Sequence, residues 1–188
     1  MLPKPFDTLP PAALKSVSYS KAEKLFLQGD TSCALFFLEK GLIQLIRHSE
    51  NGDEVMIHRA RSGETFAEAS LFSTAYHCDG IALENSKVIR MDKFQILNTM
   101  AEDTAFALAL SARFAGQIQS LRRIQEIHAI RSAKERVFAA VVQGVLKTDI
   151  KPFAAQINLT HETTYRALAQ LVKEGRLIKK ARGMYTLR

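Results

Sequence analysis

Hydrophobic positions along this 188-residue chain change their period twice. Up to residue 91 the apolar residues come in short runs of three to six, at 24–27, 35–39, 42–47, 55–60, 81–83 and 87–91. These runs are rich in Phe, Ile, Val and Leu, and turn residues separate them: Gly29-Asp30, Gly41, Asn51-Gly52, Ser62-Gly63 and Gly80. Short strands at such spacing, with no crossover helix between them, predict an antiparallel roll rather than a parallel sheet. Asn51-Gly52 between two of the runs is the strongest hairpin signal.

From about residue 102 to 128 the period becomes helical, with no proline and a single glycine. Ala107, Leu110, Phe114, Gln117, Leu121, Ile124 and His128 recur at alternating spacings of three and four, the seam of a coiled coil. A helix of that pattern predicts pairing with a second copy, along Leu110, Phe114, Gln117, Leu121 and Ile124. A second helix is predicted over 132–146, with Val137, Phe138, Val141, Val142 and Val145 as its apolar face.

The stretch 151–175 reads as two short helices joined by a tight turn. Pro152 suits a first helical turn, Asn158 tolerates the left-handed conformation the turn requires, and Thr160 is an N-cap candidate followed by Glu162 in the first turn. In the second helix Thr164, Ala167, Leu168, Leu171 and Val172 share one face, leaving His161, Glu162, Tyr165, Arg166, Ala169 and Lys173 outward. That is the pattern of a helix-turn-helix whose second helix enters a major groove. Residues 177–187 then form two short apolar runs around Arg182-Gly183, a hairpin wing carrying Lys179, Lys180 and Arg182. The expected fold is therefore α+β: a β-roll of jelly-roll type over 1–101, a dimerisation helix over 102–130, and a winged helix-turn-helix over 131–188.

Charge sharpens this picture. The chain carries +7, yet residues 131–188 alone carry +8 and residues 1–130 carry −1. Basicity confined to the helix-turn-helix segment is the asymmetry expected of a surface that meets phosphates, although a solvated basic face carries the same count. No apolar run is long enough to span a bilayer, and the first residues lack the apolar core of a signal peptide. Cys33 and Cys78 are too few for a disulfide framework, so a reducing cytoplasm is expected.

In this order, the roll, long helix and winged helix resemble the superfamily of the cyclic-AMP receptor protein and FNR. The resemblance is carried by Gln28-Gly-Asp30, Lys40-Gly41, Gly63-Glu-Thr-Phe-Ala-Glu-Ala-Ser-Leu-Phe72 and the helix between Leu159 and Leu171. It implies a bacterial homodimeric transcription regulator that reads a palindromic DNA site and, if an activator, touches RNA polymerase. It also implies base contacts from His161, Glu162 and Arg166, where His161 replaces an Arg. Thr160 and Thr163 match backbone-contacting positions, and Lys173, Lys179, Lys180 and Arg182 are suited to phosphates. Arg can donate twice to guanine and Glu can accept from cytosine; an i,i+4 ion pair on a solvated face is the plainer reading of the same two residues.

The effector pocket departs from the family pattern. Glu68 matches the residue that binds the ribose hydroxyl, but Cys78 and Asp79 stand where an Arg-Ser pair holds the cyclic phosphate. An anion there opposes another anion, so control by cyclic AMP is not expected, and no cofactor is expected. Two cysteines cannot hold an FNR-type cluster. Haem remains an alternative, with His48, His58, His77, Cys78 and His128 as conceivable ligands that no spacing selects. Cys78 beside His77 could be a redox thiol or a quiet one. A cupin-like metal enzyme is a further alternative, against which stands the lack of any His-x-His pair; no catalytic residues and no metal ligands are assigned.

Overall fold

The computed structural model describes residues 1–49, 52–146, 149–181 and 183–188. The chain divides into two compact units, Met1–Ala112 and Arg113–Arg188.

The first unit is built from strands β1 (Leu14–Tyr19), β2 (Lys24–Phe26), β3 (Ala34–Lys40), β4 (Leu42–His48), β5 (Glu54–Arg61), β6 (Thr65–Phe66), β7 (Asp79–Ala82) and β8 (Ser86–Asp92). They form two four-stranded antiparallel sheets of order β1-β8-β3-β6 and β2-β7-β4-β5. Inward residues of both sheets make one core of Phe26, Phe36, Leu38, Ile43, Leu45, Phe66, Tyr76 and Val88. Its centre is aromatic: Phe26 stacks on Tyr76 at 4.1 Å, and Phe36 lies 5.2 Å from both Phe26 and Phe66. Tyr76 satisfies its buried hydroxyl by donating to the Ala34 carbonyl and accepting from the Ala34 amide, both at 3.0 Å.

The six sequence-predicted strands fall on β2, β3, β4, β5, β7 and β8. The tight β3–β4 turn needs Gly41, whose φ is +110° and whose missing Cβ would meet Ser86. Gly52, at φ +84°, sits in the predicted β4–β5 hairpin turn; Asn51, the other half of that signal, lies outside the described residues. Two strands escape the pattern. β1 alternates only weakly between exposed and half-buried positions, and β6 has just two residues.

The predicted long helix is present, and a shorter helix that the sequence pattern did not reveal precedes it. Helix α1 (Lys93–Glu102) starts directly from β8, its N-terminus capped by Asp92, which accepts from the Gln95 amide at 3.0 Å. Asp103 leaves the helical region, and its carboxylate accepts from the amides of Ala105 and Phe106 to start α2 (Thr104–Ala129). Helix α2 runs from the first unit into the second.

The second unit adds α3 (Ala133–Val142), α4 (Ile150–Gln156), α5 (His161–Lys173) and the antiparallel pair β9 (Leu177–Ala181) and β10 (Met184–Leu187). Its core is Ile127, Val137, Ala140, Ile150, Phe153, Ile157, Leu168, Leu171 and Leu177. Helix α3 is shorter than predicted because Gly144, at φ +69°, turns the chain out after Gln143. Val142 therefore sits at the frayed end, half exposed, instead of on the apolar face. Helix α4 starts two residues before Pro152, capped by Asp149. Pro152 is then the third helical residue, where its missing N–H is still one that no intrahelical carbonyl would have used.

Candidate nucleic-acid interface

Helix α5 owes its position to its own two ends. At its start, Asn158 takes φ +52° and turns the chain sharply out of α4. The carbonyls of that turn are collected by Arg136, whose Nη1 donates to the Ile157 and Asn158 oxygens at 3.4 Å while Nε donates to the Ile130 oxygen at 2.9 Å. Thr160 caps the helix: its Oγ1 accepts from the Thr163 amide at 3.1 Å and donates to the Thr163 hydroxyl at 2.8 Å. Thr164 is fully buried, and its hydroxyl is satisfied by the Thr160 carbonyl at 2.9 Å.

Beyond its other end, Arg176 grips Glu135 of α3 with a two-pronged bond of 2.6 and 2.8 Å and lies 3.8 Å above the Phe138 ring. Lys134 pairs with Glu174 at 2.8 Å. The Arg176 bond holds the Glu135 carboxyl below its usual range, and the Lys134 bond does the same for Glu174. These staples tie α3 to the chain leaving α5. Spacing could not reveal them, because the partners lie about forty residues apart.

With Ala167, Leu168 and Leu171 buried, the opposite face of α5 is free of its own domain. His161, Glu162, Tyr165, Arg166, Ala169 and Lys173 are all exposed there, as the periodicity predicts. Arg166 Nη2 meets Glu162 Oε1 at 2.7 Å, so the plain i,i+4 ion pair exists in the free protein. It leaves most of the guanidinium fork open, and an exposed pair of this kind is worth only a few tenths of a kcal/mol. One turn of helix also brings His161 edge-on to Tyr165, ring centroids 4.6 Å apart at 89°. Lys179 and Lys180 are exposed on β9, just before the hairpin tip; Arg182 lies outside the described residues.

The sensor-side residues are disposed differently from expectation. Glu68 opens a short 3-10 turn, Glu68–Phe72, and accepts from the Thr65 hydroxyl. Asp79 is bonded within its own chain. Its carboxylate is enclosed and accepts from the Gln28 amide at 2.8 Å and from Lys24 Nζ and His48 Nε2 at 3.3 Å each. Burial pushes this carboxyl up, but the three donors outweigh it and hold it below its ordinary range. Burial pushes the neighbouring Cys78 thiol up, Arg47 opposes this, and Asp79 reinforces it, which favours the quiet thiol over the redox-active one.

Along α2 the expected seam residues differ in their exposure. Leu110 is fully buried within the single chain, so it has no apolar surface left to offer a partner, and Ile124 is packed against the core of the second unit. Phe114 and Gln117 are half-buried, while Ile118 and Leu121 are exposed. Phe114, Ile118 and Leu121 share one face at i, i+4 and i+7. Among the haem candidates, His128 bonds to the Gln156 carbonyl at 2.9 Å and His48 to Asp79, while His58 Nε2 lies 3.7 Å from a Glu64 carboxylate oxygen. Among the described residues no three His, Cys, Asp or Glu come together as a metal site, and no helix is long and apolar enough to cross a membrane.

Residues 16–103 match the family model of the cyclic nucleotide-binding domain. The cyclic AMP receptor protein of Thermus thermophilus is 24% identical over 166 residues, 84% of this chain and 76% of that protein. Among solved structures, a putative cyclic nucleotide binding protein from Ruegeria pomeroyi superposes with a TM-score of 0.62 at 23% identity, covering 95% of this chain and 84% of that one. The sensor domain of the transcriptional regulator DNR from Pseudomonas aeruginosa superposes with a TM-score of 0.53 at 27% identity, over 68% of this chain and 87% of that domain. The chain thus has a roll matched by the cyclic nucleotide-binding domain, and its fold is that of these solved structures.

Proposed function

We propose that the protein is a homodimeric, sequence-specific DNA-binding regulator that reads a palindrome with its two α5 helices and is not controlled by cyclic AMP. The observation that carries this reading is the outward face of α5: capped at Thr160, backed by a packed core, and presenting Glu162 and Arg166 on a strongly basic domain. On this reading residues 1–101 form the sensor-like roll, 102–130 the pairing helix and 131–188 the DNA-binding domain. His161, Glu162 and Arg166 contact bases, Thr160, Thr163, Lys173, Lys179, Lys180 and Arg182 contact the backbone, and the half-sites lie about 34 Å apart. The pairing face is Phe114, Gln117, Ile118 and Leu121. An activator of this kind would also touch RNA polymerase, and its site of action is the cytoplasm.

Independence from cyclic AMP is supported by Cys78 and by the enclosed Asp79 carboxylate, neither of which offers a cation to a phosphate. Selection of bound fragments from a random DNA pool tests the reading. An enriched palindrome is the expected result; enrichment without two-fold symmetry, or none, defeats it. On the selected site Arg166→Ala should lose about 1–3 kcal/mol of discrimination at one base pair per half-site, whereas Lys180→Ala should weaken specific and random DNA alike. Calorimetry with cyclic AMP should register no binding heat, and saturable heat would overturn that part of the reading.

A further inference from the structure

The recognition helix carries two i,i+4 pairs, and the function proposed above employs the polar one in full. The other is aromatic: His161 and Tyr165, in edge-to-face contact at 4.6 Å. Both are exposed, Tyr165 at 38%, although the large aliphatic side chains Leu168 and Leu171 of the same helix are fully buried. The Tyr165 ring is held on one side by His161, which limits the rotamer freedom it has left to lose on binding.

A polar pair and an apolar pair side by side suit two different features of a base edge. The major groove offers donors and acceptors at every base pair, but a single apolar group, the 5-methyl of thymine. Glu162 and Arg166 have the chemistry for the former. The ring carbons of a fixed aromatic pair suit the latter. Resting on the DNA-binding reading above, we propose that the His161–Tyr165 pair reads the 5-methyl group of a thymine in each half-site, with Tyr165 the specificity-determining residue and His161 its positioning partner.

Deoxyuridine in place of thymidine removes this methyl and nothing else. On the palindrome selected from a random pool, each thymine is replaced in turn, symmetrically in both half-sites, and affinity is measured for the wild-type protein, Tyr165→Ala, Tyr165→Phe and His161→Ala. Losing one buried methyl group corresponds to about a fourfold change, so roughly fifteenfold is expected for the two half-sites together. That loss should occur at one thymine position, persist in Tyr165→Phe, vanish in Tyr165→Ala and shrink in His161→Ala. Discrimination that depends on Arg166 should survive in Tyr165→Ala, which separates a lost contact from a misfolded helix. Indifference of the wild type to uracil at every position, a selected site without an invariant thymine, or equal sensitivity in Tyr165→Ala overturns the proposal. So does loss of sensitivity in Tyr165→Phe, which would assign the phenol hydroxyl instead. A pool that yields no enriched site defeats the DNA-binding reading and this one with it; an enriched site indifferent to uracil defeats the thymine assignment alone.

Discussion

Replacing Asp79 by alanine removes an acceptor that three donors from β2, the chain just after it, and β4 share, and the cost can be worked out donor by donor. The Gln28 amide makes the short bond, 2.8 Å to a carboxylate that is only 5% exposed. A hydrogen bond of that kind to a charged group contributes about 1.5–3 kcal/mol. Lys24 and His48 sit at 3.3 Å with side chains 54% and 40% exposed, so each recovers water when the carboxylate goes, and together they add no more than about 1 kcal/mol. Asp79→Ala should therefore cost roughly 2–4 kcal/mol, and Asp79→Asn about half of that because an amide oxygen can still accept from Gln28. The folded pKa of Asp79 is depressed, so its contribution is complete above the unfolded carboxyl value near ~4 and is lost as pH falls through the folded value. Hydrogen–deuterium exchange of the full chain, read by mass spectrometry, localises the effect. Peptides of β2, β4 and β7 should lose protection, those of α3 to α5 should not, and the deficit of Asp79→Asn should shrink as the pH is lowered from 7 to 3. A change below about 0.5 kcal/mol in Asp79→Ala, or a deficit in Asp79→Asn that stays constant over that range, would refute the assignment of Asp79 as a structural anion.

Three further outcomes are expected. Thr160→Ala should destabilise the second unit by about 1 kcal/mol through loss of the α5 cap, seen as faster amide exchange in the first turn of the helix; unchanged exchange there would contradict the cap. Gly41→Ala forces a side chain into φ +110° with its Cβ 2.7 Å from the Ser86 Cα, and should cost roughly 2–4 kcal/mol in thermal or urea unfolding followed by circular dichroism, so a neutral result would dispute the turn geometry. Leu121→Asp should halve the mass measured by sedimentation equilibrium while leaving each chain folded; Leu110→Ala should instead cost about 2–5 kcal/mol of stability at unchanged oligomeric state, and an exchange of these two phenotypes would restore Leu110 to the seam.

Much of the architecture is legible in the chain because its signals are local. Strands β2, β3 and β5 announce themselves through apolar runs ended by Gly29, Gly41 and Ser62-Gly63, since each turn constrains only its own dihedrals. The left-handed Asn158, the Thr160 cap and the two faces of α5 are likewise decided within four residues of sequence. Helix α1 is hidden for a complementary reason. Asp92 both ends β8 and caps the helix, so no turn residue marks the boundary and a ten-residue element merges with its neighbours.

What the chain alone determined is which side chains share a strand face or a helix face. Tertiary structure decided which of those faces were already occupied. Leu110 and Leu121 both fall on the heptad seam, yet only folding takes the first out of water. Asp79 looks like an anion misplaced in a phosphate site until the order β2-β7-β4 brings Lys24, Gln28 and His48 to it from 31 to 55 residues away. Periodicity reports contacts at i+3 and i+4, whereas sheet order and long-range ion pairs depend on the closure of the whole chain, and that closure separates a structural carboxylate from an effector site.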